Sequence, residues 1–93
     1  MFPFMSTDRK YVQFPFRAEK AFGQAFQSMR KAAGVSQEQV ALEAGCDRTT
    51  VSLIERGLVS PKLGTIVKMC RIIDVEPSEV LRKMEQSRVY RVC

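Results

Sequence analysis

The stretch from Ser36 to Gly57, S-Q-E-Q-V-A-L-E-A-G-C-D-R-T-T-V-S-L-I-E-R-G, is compatible with few folds. Ser36 has a hydroxyl that can cap a free backbone N–H, and Gln39, three residues on, can reach back to the Ser36 N–H, which makes a capping box. Val40, Ala41 and Ala44 then share one helical face. Gly45 ends this helix, because a residue without Cβ takes the left-handed conformation at no steric cost. Asp47 is placed to cap a second helix whose apolar positions are Val51, Ile54 and Leu58, and Gly57 stops it. Two short helices meeting at a glycine-containing turn form a helix-turn-helix arrangement.

The flanks supply three more helices. Phe22, Phe26, Met29 and Ala33 form one stripe at i, i+4, i+7, i+11, predicting a helix from about Ala18 to Ala33 that Gly34 ends. Ser60 can cap a fourth helix with Pro61 at its first position, and Leu63, Ile66, Val67, Cys70 and Ile73 would face inward. Gly64 is a poor helix former in that run. Residues Asp74 to Glu76 connect to a fifth helix that Pro77 starts, with Val80, Leu81 and Met84 inward. The expected fold is all-α: a five-helix domain over residues 18–86, an aromatic arm over 1–17 and a tail over 87–93. The arm holds Phe2, Phe4, Tyr11, Phe14 and Phe16, and Pro15 argues against a helix through it. It is either a loose extension, with Lys10 to Phe14 extended, or an apolar segment packed on the domain or on a second subunit. The tail, S-R-V-Y-R-V-C, suits a helical extension or a strand equally.

Composition narrows the function. Ninety-three residues suit one domain, with no apolar run long enough for a membrane and no signal-peptide pattern at the start, since Asp8, Arg9 and Lys10 interrupt it. The net charge of +5 leans toward an anionic partner, although a solvated basic surface is the plainer reading. The positive charge lies in the flanks: residues 36–57 carry four acidic and two basic groups. Three cysteines, no histidine and no C-x-x-C pair exclude the common zinc patterns. A metal or other cofactor is not expected, and a reducing cytoplasm is. Cys70 is read as core and Cys93 as exposed. No constellation of nucleophile, base and carboxylate stands out, so an enzyme is not expected.

From roughly Phe22 to Met84 the chain resembles the phage-repressor-like (Xre and Cro type) helix-turn-helix regulators, with a lambda-repressor-like domain. The resemblance is carried by Ser36-Gln37-Glu38, Ala41, Gly45, Thr50-Val51-Ser52, Ile54-Glu55-Arg56-Gly57 and Pro61. Asp47 to Gly57 looks most like the controllers of restriction–modification systems. The resemblance implies a structural pair between Arg30 and Glu55, tying the first helix to the recognition helix, a phosphate contact by Gln37, and a core place for Cys46, which stands at a turn position where the family prefers an aliphatic residue. The alternative for Arg30 and Glu55 is an independent surface pair.

A helix fits the major groove of double-stranded DNA, and the second helix of the motif enters with its N-terminal residues at the base edges. Those are Arg48, Thr49, Ser52 and Leu53. Arg48 suits guanine O6 and N7, or else a phosphate. Thr49 offers a hydroxyl or its methyl, and Ser52 lets the helix sit close. Leu53 reads a thymine methyl, or else covers the protein's own core or a neighbouring chain. Gln37, Thr50, Arg56 and Lys62 are the phosphate candidates, with Lys31 and Arg17 behind them; Thr50 packs at the turn otherwise. One domain offers few base contacts, so a homodimer on an inverted repeat is expected. The sequence thus points to a transcriptional regulator. The alternatives are the antitoxin of a toxin–antitoxin pair, with the arm as toxin-binding segment, and a protein-interaction adaptor that uses the fold without DNA.

Overall fold

The computed structural model describes the backbone of residues 9–87 and the side chains of residues 18–87. Five helices follow one another: α1 (Arg9–Ala32), α2 (Gln37–Ala44), α3 (Arg48–Glu55), α4 (Leu63–Ile72) and α5 (Pro77–Glu85). There is no strand among the described residues. Helix α1 packs on α3 and α5, α2 on α3 and α4, and α4 on α5.

The caps explain most of the boundaries. The Ser36 hydroxyl accepts the Gln39 N–H at 3.0 Å, so half of the expected capping box is present. The Gln39 side chain turns instead to Glu43, at 3.1 Å. Gly45 ends α2 with φ 77°. The Cys46 N–H then bonds the Ala41 carbonyl at 2.9 Å, the six-to-one bond of a glycine-terminated helix. Asp47 holds the position before α3 in extended conformation, but its side chain makes no capping bond. At the far end Gly57 has φ 76°, and Leu58 N–H bonds the Leu53 carbonyl at 2.9 Å. Pro77 opens α5, and the Glu79 carboxylate accepts the Glu76 N–H at 2.8 Å.

The core forms where the helices cross. Phe22 and Phe26 of α1 lie stacked, with ring centroids 6.2 Å apart, among Ala25, Val40, Ala41, Val51, Ile54, Met69, Cys70, Ile73 and Val80. Met29, Ile66 and Met84 pack against its edge. Burial raises the Cys70 thiol pKa above its ordinary value.

Several expectations fail for local reasons. Helix α1 begins at Arg9, not near Ala18, and runs through Pro15; Lys10 to Phe14 are helical rather than extended. Proline's fixed φ is itself helical, and adding turns to a helix already nucleated by its docked half is far easier than starting one. Whether the arm's aromatic side chains are covered, and the shape of the tail from residue 88, lie outside the described residues.

Leu58 is 57% exposed, because the left-handed Gly57 turns the chain out of helical register before it. Cys46 is exposed for the same reason after Gly45, and Ala33 is exposed because α1 has ended. Ser60 caps nothing: α4 starts at Leu63 with Lys62 as its cap residue. Pro61 lies instead in an apolar groove with Ala18, Phe22, Ile66, Leu81 and Met84. With the helix starting later, Leu63 becomes its first residue and is 76% exposed. Leu81 lines the same groove but is 44% exposed, so it faces the margin rather than the core.

Candidate nucleic-acid interface

Helix α3 has a buried back and an open front. Val51 and Ile54 anchor the back in the core. On the front, Arg48 and Thr49 are exposed, and Thr50, Ser52 and Leu53 are half-buried. Leu53 therefore sits on the margin between core and solvent. Arg56, just past the helix, and Lys62, before α4, are exposed. So is Lys31, whereas the side chain of Arg17 is outside the described residues.

The anchoring of α3 centres on one carboxylate. Glu55 is 3% exposed and Arg30 6%. Arg30 Nε donates to Glu55 Oε2 at 2.6 Å and its Nη2 to Oε1 at 3.0 Å, a bidentate pair. Arg30 Nη1 goes on to the Val35 carbonyl at 2.8 Å. This is the buried pair, not an independent surface pair. Geometry of this kind offsets the desolvation of both charges, while removing one partner strands the other.

Two glutamines join the same oxygen. Gln37 Nε2 donates to Glu55 Oε1 at 2.9 Å, and Gln27 Nε2 at 3.2 Å. Three helices thus converge on Glu55: α1 through Gln27 and Arg30, α2 through Gln37, α3 through its own backbone. Sequence reasoning missed Gln27. Its signal was position: it stands one turn before Arg30 on the same face.

Close approach makes this convergence possible. A Cβ on Gly23 would lie 2.4 Å from the Ile54 carbonyl oxygen and 2.5 Å from that of Glu55. A Cβ on Gly57 would lie 2.5 Å from the Lys20 Cα. Helix α1 therefore rests directly on the C-terminal turn of α3. Gly23, a glycine in mid-helix, was the readable signal that sequence reasoning passed over.

Around the start of α3 an open hollow is lined by Ser36, Glu38, Gln39, Leu42, Cys46 and Arg48. It brings the N-terminus of α2 beside the first residue of the recognition helix. Leu42 is 81% exposed there, between the acidic residues Glu38 and Glu43. No group of histidine, cysteine or carboxylate side chains suited to a metal occurs among the described residues. None of the described helices is long and apolar enough to cross a membrane.

Five helices, with a recognition helix anchored from behind and open in front, define a lambda-repressor-like helix-turn-helix domain. Residues 21–83 match the family model for a helix-turn-helix domain. The restriction–modification controller protein C.AhdI from Aeromonas hydrophila is similar in structure, with a TM-score of 0.66 and 37% identity over 70% of this chain and 94% of that one. The clp gene regulator ClgR from Corynebacterium glutamicum shares the fold, with a TM-score of 0.73 and 23% identity over 75% of this chain and 90% of that one. No curated protein sequence matches the chain. The chain belongs to the Xre-like helix-turn-helix family of DNA-binding transcription regulators.

Proposed function

We propose that the protein is a sequence-specific regulator that binds an inverted-repeat operator in double-stranded DNA as a homodimer. The observation that carries this reading is the two-faced recognition helix: Val51, Ile54 and Glu55 are buried, while Arg48 and Thr49 stand free ahead of them. Arg48 reads guanine, Thr49 and Ser52 lie against base edges, and Leu53 meets a thymine methyl at the margin. Gln37, Thr50, Arg56 and Lys62 hold phosphates and fix the register. The similarity to a restriction–modification controller supports a regulatory role for this chain as well. A homodimer supplies the second set of base contacts, and a cytoplasmic location agrees with a DNA target.

Selection of bound sequences from a random duplex pool tests the reading. The expected result is two inverted half-sites whose centres are about 10 base pairs, one helical turn, apart. A single half-site with a monomeric complex would refute the dimer. The exposed Leu42 between two acidic residues favours a second reading, a protein-interaction adaptor. Salt-dependent binding to random duplex separates the two, because an adaptor shows none.

A further inference from the structure

We propose that Glu55 is a positioning residue for DNA: its buried carboxylate sets which atom of the Gln37 side chain faces a phosphate. The inference rests on the DNA-binding reading above and assigns it an internal part.

The argument starts from donor and acceptor inventory. Glu55 Oε1 receives Gln37 Nε2 at 2.9 Å, Arg30 Nη2 at 3.0 Å and Gln27 Nε2 at 3.2 Å. A carboxylate paired with arginine only accepts hydrogen bonds, whereas a glutamine amide has both a donor end and an acceptor end. Only the nitrogen end of Gln37 can therefore face Glu55. The reversed amide would set oxygen against oxygen. With Nε2 committed, its second N–H is left to donate, and a phosphate oxygen is an acceptor.

The surroundings suit the same ligand. Gln37 is the first residue of α2. The Gln39 N–H is taken by the Ser36 hydroxyl, and the Val40 N–H by the Ser36 carbonyl at 3.1 Å. The N–H groups of Gln37 and Glu38 have no partner within the helix, as in any first turn, and such groups favour an anion. Arg30 neutralises the carboxylate behind the amide, so an approaching phosphate meets no bare negative charge. The amide is half-buried and held before DNA arrives, which removes an ordering cost from binding.

A double-mutant cycle tests this with the full chain and a selected duplex, at a temperature where every variant is folded. Gln37→Ala is expected to weaken binding about five-fold, the loss of one hydrogen bond. The salt slope should not change, because glutamine displaces no counterion. In Glu55→Gln the amide is free to turn over, and Gln37→Ala should then cost less than about two-fold more. Equal loss in both backgrounds overturns the inference and leaves DNA binding intact. Absence of duplex binding even at low salt overturns the parent reading, and this one with it.

Glu55→Gln also strands Arg30, so a second measurement stands apart from its folding. In the free wild-type protein, side-chain amide NMR should show the Gln37 NH2 ordered, with one proton shifted by its carboxylate partner. A freely rotating Gln37 amide overturns the inference.

Discussion

The front and back of α3 follow opposite rules. The back is fixed to fractions of an ångström: Gly23 admits the backbone carbonyls of Ile54 and Glu55 where a Cβ could not fit, and Glu55 gathers donors from two other helices. The front carries Arg48, Thr49, Ser52 and Leu53, whose side chains make no hydrogen bond to the rest of the described domain. Stability and recognition are thereby separated across about half a turn of helix. Changes on the front should alter what is bound and leave the fold alone, whereas changes on the back should cost stability first and reach binding only through the fold or through the Gln37 amide that Glu55 holds.

The sharpest break of that contrast is Gly23→Leu. The added side chain meets the backbone of Ile54 and Glu55, which cannot rotate away as a flexible side chain can. Helix α1 must lift from α3, taking Arg30 and Phe26 with it. The expected loss exceeds about 4 kcal/mol, comparable with the whole stability of a small domain, so chemical denaturation should find little folded protein. A cooperative transition near that of wild type would show that the seam between α1 and α3 has slack.

Glu55→Ala comes next. It removes the acceptor of four hydrogen bonds and leaves a buried guanidinium without a counter-charge. The expected cost is about 3–5 kcal/mol, read as a lower urea midpoint with no DNA present. A change below about 1 kcal/mol would mean that the pair behaves as a surface pair does.

Which of these features the sequence disclosed depends on how locally each is determined. Ser36, Gly45, Gly57 and Pro77 act through their own backbone within one turn, and each ends or starts a helix where expected. The bond between Arg30 and Glu55 spans 25 residues, yet family resemblance carried it. What failed was extrapolation of helical period past a helix end. Leu58 and Leu63 keep the spacing of inward residues, but one follows a left-handed glycine and the other opens its helix at the edge of the fold. Cys46 stands where the family resemblance implies a core residue and is turned outward by Gly45. Gln27 and Gly23 owe their roles to what α3 brings against them: a glutamine one turn before Arg30 and a glycine in mid-helix mark a contact face, but nothing within α1 names the partner.

On the front, Arg48→Ala should leave the urea midpoint within about 0.5 kcal/mol of wild type, since the side chain is exposed. Affinity for the selected operator should fall by about 1–3 kcal/mol, with preference relaxed at one base pair in each half-site. Quantitative binding to a set of singly substituted duplexes separates the roles. Uniform weakening on every sequence would make Arg48 a phosphate contact, and the front would then read bases through Thr49, Ser52 and Leu53.

The smallest effect tests a surface that belongs to neither side. Gly64 lies in the first turn of α4, where an added Cβ meets nothing within 4 Å. Unlike Gly23 it makes no close approach, and unlike Gly57 its φ is not positive. It thus keeps the entropic cost of glycine in a helix with no packing gain to offset it. Gly64→Ala should stabilise the domain by about 0.5 kcal/mol, a little under the full difference between the two residues because the position is near the helix start. Thermal unfolding and operator affinity should be measured together. A higher melting temperature with unchanged affinity places Gly64 outside both the seam and the interface. Weakened affinity at equal or greater stability would mean that DNA, or a second copy of the chain, comes closer to the start of α4 than a methyl group allows, and the recognition surface would then extend beyond α3 in that direction.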